Sequence, residues 1–220
     1  MVAKGKGSGF LGLPEELERF LDAVFAHPPC AISIKTRLGV KEPEEFGPLL
    51  ALFRRYPLAE LTVHPRVQKD MYKNTPRRDY FAAALADSPF PVRYNGDLYT
   101  LGELEQFQRE FPAAGRVMLG RGLAGDPALA RKARGGPAAT RDELRAFHDL
   151  VHEDYTRIFG SRRNAMLRMK EVWFYLIHLF GDNAKHARAI KKARDTGEYE
   201  GAAAAVFREL PLLPDLRAAW

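Results

Sequence analysis

The sequence predicts an α/β fold of four βα units followed by a region built only of helices. Four apolar runs of strand length occur in the first part of the chain, and each is followed by a stretch with helical periodicity. The runs are apolar along most of their length, which is typical of buried strands in a parallel sheet. No strand pattern occurs after Gly135-Gly136-Pro137. These three observations predict two domains, residues 1–136 and residues 137–220.

The first predicted domain begins with a glycine-rich loop over residues 2–10 and a helix over residues 14–27, where Pro14 suits the first helical turn. A strand and a helix then alternate four times. The predicted strands cover residues 31–37, 60–64, 91–94 and 117–120, and the predicted helices cover residues 43–55, 78–86, 100–110 and 126–134. Thr100 and Glu103 have the spacing of a capping box, which marks the start of the third of these helices.

The second predicted domain carries helical periodicity throughout. Its predicted helices cover residues 140–159, 163–180, 183–195 and 199–208. Thr140 and Glu143 again have capping-box spacing at the start of the first of them. Successive helices with short connections predict a helical bundle.

Composition excludes several classes of protein. The chain has 220 residues, of which 46% are hydrophobic and 28% are charged, as in an ordinary globular protein. No stretch approaches the roughly 18 uninterrupted apolar residues of a membrane span, and no secretory signal pattern is present. A single cysteine excludes a disulfide framework and a cysteine-rich metal site, and it fits a cytoplasmic protein. The net charge of +6 favours a polyanionic partner.

Polar residues follow each of the four predicted strands. The motifs are Lys35-Thr36-Arg37, His64-Pro65-Arg66, Asn95-Gly96-Asp97 and Gly120-Arg121-Gly122. In a (β/α) barrel the carboxyl ends of the strands converge on one face, where ligands bind. Cationic groups, an imidazole, an amide and a glycine-rich backbone suit a ligand with a phosphate and a polar heterocycle. The four motifs therefore predict one shared binding site.

Each motif taken alone also has an ordinary structural interpretation. Lys35 and Arg37 could be a solvated charge pair, His64 a hydrogen-bonded structural residue, and Asn95-Gly96-Asp97 a turn. The single cysteine, Cys30, precedes the first strand and so lies at the opposite end from the predicted site. We expect it to be a small buried apolar residue and not a nucleophile.

The motifs taken together resemble those of the tRNA-dihydrouridine synthases, which are flavin enzymes with a (β/α)8 TIM barrel and a C-terminal helical domain. The matching segments are Ile32–Gly39, Leu61–Arg66, Tyr72-Lys73, Tyr94–Asp97, Met118–Gly122 with Asp126-Pro127, and Arg168–Tyr175. The resemblance runs from about Val2 to Phe207. It implies that the first domain is a partial TIM barrel formed by the last four βα units.

The resemblance also implies a cofactor, FMN, and the residues that would bind it. Lys35 would contact the pyrimidine edge of the isoalloxazine, and His64 and Arg66 would line the flavin site. Asn95, Gly96 and Asp97 would lie beside the ribityl phosphate, and Gly120 and Arg121 would bind the phosphate. A cation near the N1–O2 edge of the ring stabilises the anionic reduced flavin. No metal site is expected.

The implied substrate is a uridine in tRNA, reduced to 5,6-dihydrouridine with NADPH as the hydride donor. The helical domain would bind the tRNA through a set of basic residues. These residues are Arg162, Arg163, Arg168, Lys170, Lys185, Arg188 and Lys192.

The chain departs from the family pattern at its beginning. The first four βα units of the family barrel are missing, and so is the Asn-x-x-Cys-Pro motif that carries the general-acid cysteine. We therefore assign no catalytic residue and expect a fragment, a truncated product or a late-start reading that is inactive by itself. We expect a half-barrel with unpaired edge strands to self-associate.

Two other functions remain open at this point. One is an FMN-dependent oxidoreductase that acts on a small molecule, which the basic tail disfavours. The other is a tRNA-binding module without catalytic activity, which the missing cysteine favours.

Overall fold

A computed structural model of the protein describes residues 5–216, so residues 2–4 of the predicted glycine-rich loop lie outside it. The strands of the described part are β1 (Ser33–Arg37), β2 (Glu60–His64) and β3 (Val92–Tyr94). Its α-helices are α1 (Pro14–Ala26), α2 (Phe46–Phe53), α3 (Arg78–Asp87), α4 (Leu101–Glu110), α5 (Arg121–Gly125), α6 (Leu129–Lys132), α7 (Arg141–Phe159), α8 (Arg162–Leu176), α9 (Ala184–Lys192) and α10 (Thr196–Glu209). Short 3₁₀ helices cover Gly7–Gly12, Pro43–Glu45, Gln68–Asp70 and Ile177–Leu179.

The sheet is parallel, with the strand order β1-β2-β3. Ser33 pairs with Glu60 and Arg37 pairs with His64, while Val63 pairs with Tyr94. The α/β class, the parallel arrangement and these three strands are as the sequence predicts. The molecule is mostly helical, and the sheet is small.

The predicted fourth strand, residues 117–120, is wrong. A single parallel bridge joins Val117 to Tyr94, and the chain then leaves the sheet. The side-chain amide of Asn95 donates to the carbonyl of Met118 at 2.8 Å. A side chain therefore occupies the carbonyl that a longer ladder would use, and α5 begins at Arg121 directly afterwards.

The predicted helix over residues 126–134 is also revised. Within that range the structure has one short helix, α6, and the other short helix, α5, ends before it at Gly125. The predicted cap at Asp126 is also wrong, because α6 begins at Leu129 and its N-cap is Ala128. The Oδ1 of Asp126 instead accepts the backbone N–H of Ala128 at 3.0 Å in the turn before that helix.

The chain divides into two compact units. The first runs up to Asp97 and includes Phe107–Leu119, and the second comprises Leu98–Gln106 and the chain from Gly120 onward. These units are defined by compactness, whereas the predicted domains, residues 1–136 and 137–220, are defined by function. The boundary after Gly136 therefore stays a prediction.

Aromatic rings fill the core of the first unit next to β3. Phe81, Tyr94 and Phe107 are fully buried. The ring centroids of Phe81 and Tyr94 lie 5.1 Å apart, and those of Tyr94 and Phe107 lie 4.4 Å apart. Such pairs stabilise a core beyond the area that they bury, so the residues just after β3 start from a rigid position.

The second unit has a separate aromatic core built from α7, α8 and α10. Trp173, Tyr199 and Phe207 are buried in it, together with His148. The indole N–H of Trp173 donates to the hydroxyl oxygen of Tyr199 at 3.1 Å, and that hydroxyl lies 2.7 Å from Nε2 of His148. Asp149 lies 2.8 Å from the other ring nitrogen. Every polar atom of this buried group thus has a partner.

A buried lysine fixes the segment after α10 to α6. The Lys132 side chain is 7% exposed, and its ammonium lies 3.0 Å from the Asp126 carboxylate. It also donates to the carboxylate of Asp215 and, at 2.8 Å, to the carbonyl of Pro214. Two carboxylates and a carbonyl satisfy all three donors of the ammonium.

No helix within residues 5–216 combines the length and the apolar character that a membrane crossing requires.

Candidate functional site

Three of the four predicted motifs meet at one edge of the sheet. Because β1, β2 and β3 are parallel and in register, their carboxyl ends lie side by side. The motifs that contain Lys35, His64 and Asn95 are therefore neighbours in the first unit. The strand register places these three motifs side by side, and their shared role in binding a ligand stays a prediction.

Arg66 is the central side chain of this edge. It is 1% exposed. Its guanidinium donates to both carboxylate oxygens of Asp97, one at 2.8 Å, and to the backbone carbonyl of Asn74. The same Nη1 that donates to Asp97 at 2.8 Å also lies 3.3 Å from Nε2 of His64. A bidentate pair of this kind is strong and directional, so Arg66 and Asp97 hold the strand ends together.

His64 is a buried neutral base surrounded by cations. Burial lowers its pKa to about 3, and the nearby charges of Arg37, Lys35 and Arg66 lower it in the same direction. Its ring stacks on Tyr72 with the centroids 6.0 Å apart. The imidazole is therefore uncharged at neutral pH and offers hydrogen bonds without adding a positive charge.

Lys35 is the exposed cation of the site. Partial burial lowers its pKa, and the neighbouring Arg37 lowers it further. Its side chain stands on β1, one residue before Thr36, which is buried. The Lys35 ammonium is therefore accessible to a polar ligand bound at the carboxyl ends of the strands.

The loop after β2 also borders the carboxyl ends of the strands. It contains Asp70 and Tyr72, which the sequence did not assign to the site. Arg37 donates to the carbonyls of Val67 and Met71 at 3.0 and 3.1 Å, and its guanidinium lies 5.5 Å from the centre of the Tyr72 ring. Asp70, which is buried, accepts hydrogen bonds from the backbone of Val67 at 3.1 Å and from other side chains of the loop.

The local sequence contained a partial signal for these residues. Arg37 and Tyr72 belong to motifs already noted. Asp70 belongs to none of them, and its role is to accept the hydrogen bonds that hold the loop in shape. Met71 takes a positive φ of 53°, an unusual conformation for a residue other than glycine. The loop is thus held by specific hydrogen bonds and presents Tyr72, which is 57% exposed.

Asn95 and Gly96 have structural tasks in this arrangement. The Asn95 amide is bound to Met118, as described above. A Cβ on Gly96 would lie 2.1 Å from the hydroxyl oxygen of Tyr94, so a larger residue would displace that ring. These contacts explain the residue types without reference to a ligand.

Gly120 and Arg121 belong to the second unit. Gly120 precedes α5, and a Cβ there would meet no described atom within 4 Å. The guanidinium of Arg121 lies 5.2 Å from the centre of the Tyr99 ring. Their assignment to a phosphate stays a prediction.

Cys30 is exposed, so the expectation that it is buried is wrong. The chain bends at Pro29 and Cys30 before β1 begins at Ser33, which leaves Cys30 outside the sheet. Its position at the amino end of β1 is as predicted. Within the described residues, no group of three or more His, Cys, Asp or Glu side chains could hold a metal ion.

The predicted tRNA-binding residues all lie in the second unit, which we also call the helical unit. They differ in their surroundings. Arg163, Lys185, Arg188 and Lys192 are exposed. Arg162 pairs with Glu200 at 3.3 Å, and Arg168 pairs with Glu171 at 2.9 Å, all of them on the surface.

Lys170 has a structural role in addition to any binding role. Its ammonium donates to the carbonyl of Ala193 and, at 3.4 Å, to that of Lys191. These carbonyls end α9, where a positive charge complements the helix dipole.

Known proteins are similar to this chain over most of its length. The profile of the dihydrouridine synthase (Dus) family matches residues 1–209. The chain is 28% identical over 205 residues to a tRNA-dihydrouridine(16) synthase of Cupriavidus necator, covering 89% of this chain and 62% of that protein. A tRNA-dihydrouridine(16) synthase of Ralstonia nicotianae is 27% identical over 206 residues, with 90% and 62% covered.

A probable tRNA-dihydrouridine synthase of Staphylococcus aureus is 30% identical over 132 residues, which is 58% of this chain and 40% of that protein. The chain spans about three fifths of the length of the first two relatives. The family profile, in contrast, extends over nearly all of its residues. The chain therefore belongs to the dihydrouridine synthase family.

Proposed function

We propose that this protein serves in the FMN-dependent reduction of uridine to 5,6-dihydrouridine in tRNA, with NADPH as the hydride donor. One observation carries the proposal. In a chain of the dihydrouridine synthase family, the carboxyl ends of β1–β3 bring together Lys35, a neutral His64 and the Arg66–Asp97 pair. The names of the two first relatives specify position 16 of tRNA, and uridine 16 is the target that we propose.

The residues of the first unit fit one part of FMN. A flavin ring needs a cation at its N1–O2 edge and hydrogen-bonding groups around it. Lys35 supplies an exposed ammonium, and His64 supplies an uncharged imidazole next to it. Arg66 does not meet this need directly, because its guanidinium is bound to Asp97 and Asn74. We propose that Lys35 and His64 contact the ring and that Arg66 and Asp97 hold the strand ends in position.

The donors proposed for the phosphate are the backbone of Gly120 and the side chain of Arg121. Backbone N–H groups at the start of a helix suit an anion. When bound, FMN would supply hydride transfer to the C5–C6 bond of the uridine. The role of this chain is then to orient the ring, to place a positive charge beside it and to hold the tRNA. We also propose that β1–β3 are strands of a (β/α)8 barrel.

Deleting the gene that encodes this chain tests the function. We expect the loss of dihydrouridine at position 16, measured by mass spectrometry of purified tRNA. Reintroducing the wild-type gene should restore the modification, whereas Lys35→Met, which keeps the length of the side chain but removes its charge, should restore it poorly. Unchanged dihydrouridine at every position of tRNA after deletion would contradict the proposal.

A polypeptide of these 220 residues should not reduce uridine by itself. Its single cysteine, Cys30, lies at the amino end of β1, away from Lys35. General acid catalysis contributes about 10²–10⁴-fold. The same observation favours a second candidate function, a tRNA-binding module without activity. Tight tRNA binding with no change in dihydrouridine in the deletion strain would favour that alternative.

The proposed partner of the whole protein is tRNA, and we also propose that the polypeptide self-associates. Within residues 5–216, β1 pairs with β2 on one side only, and an unpaired strand edge invites pairing with a second chain. Light scattering at about ten to a hundred micromolar measures this directly. A monomer across that range would contradict it.

A further inference from the structure

The second unit contains an open groove between α8 and α9 that the site described above does not use. Its volume is about 720 Å³, within the range of small-ligand sites. Trp173, Ile177 and Ile190 are buried and line it, and Phe174 and Lys191 also line it.

Phe174 is the unusual residue of this groove. Its side chain is 56% exposed, although the neighbouring Trp173 is 2% exposed. An aromatic ring that is left in contact with water at the edge of a groove offers a face for stacking. Exposed rings of this kind are the common platforms for unpaired bases, because every base has a π-face.

Every Lys or Arg side chain of α9 is exposed, and Lys191 among them lines the groove. The α8 wall also contains Glu171, whose carboxylate is paired with Arg168 at 2.9 Å. Between Ala184 and Lys192, α9 contains no Asp or Glu. Its exposed cations are Lys185, Arg188, Lys191 and Lys192. This charge is complementary to a polyanion. It is unsuited to a second copy of a chain whose own net charge is +6.

We propose that this groove binds an unpaired nucleotide of an RNA strand, with its base stacked on Phe174 and its flanking phosphates next to Lys191. The proposal rests on the proposed function for the identity of the RNA, which we take to be tRNA. It adds a defined binding site to that function, separate from the strand edge of the first unit.

Salt-dependent binding of the 220-residue chain to unmodified tRNA and to a single-stranded oligouridine tests the proposal. Phe174→Ala should weaken binding to both RNAs by about 5- to 150-fold, the range for the loss of one stacked base. The slope of log K against log salt should stay the same, because no phosphate contact is lost. Lys191→Gln should instead lower the slope by about 0.7–0.9.

Two further variants serve as controls. Leu167→Ala removes another exposed apolar side chain of α8, 51% exposed and outside the lining of the groove, and should leave both affinities unchanged. Phe174→Tyr keeps an aromatic ring and should bind as the wild type does. Thermal unfolding of each variant verifies that the helical unit is folded.

Cross-linking identifies the contact directly. Oligouridine that contains 4-thiouridine should cross-link on irradiation to the tryptic peptide Glu171–Lys185, which contains Phe174, and Phe174→Ala should abolish that product.

The outcomes separate the two proposals. If wild-type chain binds neither RNA, both the tRNA-binding function and the groove proposal are wrong. If it binds tRNA and a folded Phe174→Ala variant binds equally well, only the groove proposal is wrong. A variant with unchanged RNA affinity and an altered oligomeric state by light scattering would assign the groove to a protein partner and overturn the proposal.

Discussion

At the scale of single residues, Arg66 shows how the surroundings decide a role. The sequence placed it near a ligand because it follows a strand, and its position at the sheet edge is as predicted. Its neighbours could not be foreseen, since Asn74 and Asp97 come from loops whose course depends on the whole unit. The pairing changes the interpretation of Asp97, which the resemblance had assigned to the cofactor phosphate.

Asp97→Asn should destabilise the first unit. The Arg66 side chain is 2% exposed and that of Asp97 is 27% exposed, so the variant leaves a buried guanidinium without its counter-charge. Breaking a buried pair costs about 3–5 kcal/mol, and we expect the lower end because Asp97 is partly solvated. Urea unfolding measures the loss. Asp87→Asn, at the exposed last position of α3, is the control and should change stability by about 0.5 kcal/mol or less. A stable Asp97→Asn variant that had lost only FMN affinity would show that Asp97 serves the ligand instead.

His64 predicts a pH dependence of stability. Its pKa is lowered to about 3 in the folded protein from an ordinary value of about 6.5. Below pH 6.5 the unfolded chain binds a proton that the folded chain does not, so stability is lost as the pH falls toward 3. We expect His64→Gln to reduce the slope of unfolding free energy against pH by up to about 1.4 kcal/mol per pH unit between pH 6 and 4.5. His27→Gln, at an exposed position, is the matched control. Equal slopes for wild type and His64→Gln would mean that His64 is protonated in the folded state.

At the scale of elements, local signals were predicted well and non-local ones were not. The capping box of Thr140 and Glu143 is confirmed, because both partners lie within one helical turn. The strand expected at residues 117–120 failed because a ladder needs a partner along its whole length. The Asn95 amide takes one of the carbonyls that this ladder would have used. The apolar run alone carries no information about that competition.

Lys170, which lies on α8, should stabilise the carboxyl end of α9. Its ammonium is bound to two carbonyls that the helix leaves unpaired. Lys170→Ala should lower the unfolding free energy of the helical unit by about 1.5–3 kcal/mol, the usual value for hydrogen bonds to a charged group. Lys185→Ala, on the exposed side of α9, should cost much less. If both variants are equally stable in urea, Lys170 is free to contact RNA.

At the scale of the whole molecule, positive charge is concentrated in one stretch. Between Arg157 and Arg194 there are ten Lys or Arg residues and two Asp or Glu residues, a net charge of +8 in a chain whose total is +6. This concentration was visible in the sequence. The structure adds which of these charges already have partners. Among the exposed candidates with no ion pair in the described residues are Arg163, Lys185 and Arg188.

Replacing those three residues by Ala should weaken tRNA binding and lower the slope of log K against log salt by about 2–3, since each lost phosphate contact removes about 0.7–0.9. Fluorescence anisotropy at several salt concentrations measures both quantities. A matched triple variant at Arg54, Lys69 and Lys73, exposed cations of the first unit, should leave the slope unchanged. The opposite pattern would place the tRNA on the first unit.

The contacts of Lys132 have a consequence for the order of events during synthesis. Its ammonium is buried beside Asp126, but Pro214 and Asp215 supply its remaining partners from near the other end of the second unit. During synthesis these residues are added more than eighty positions after Lys132. Until they emerge, the nascent chain holds a lysine that is either hydrated or only partly neutralised. The contacts of Lys132 can therefore be completed only after Asp215 has been synthesised, and a ribosome stalled before Pro214 would carry a Lys132 that lacks two of its three partners.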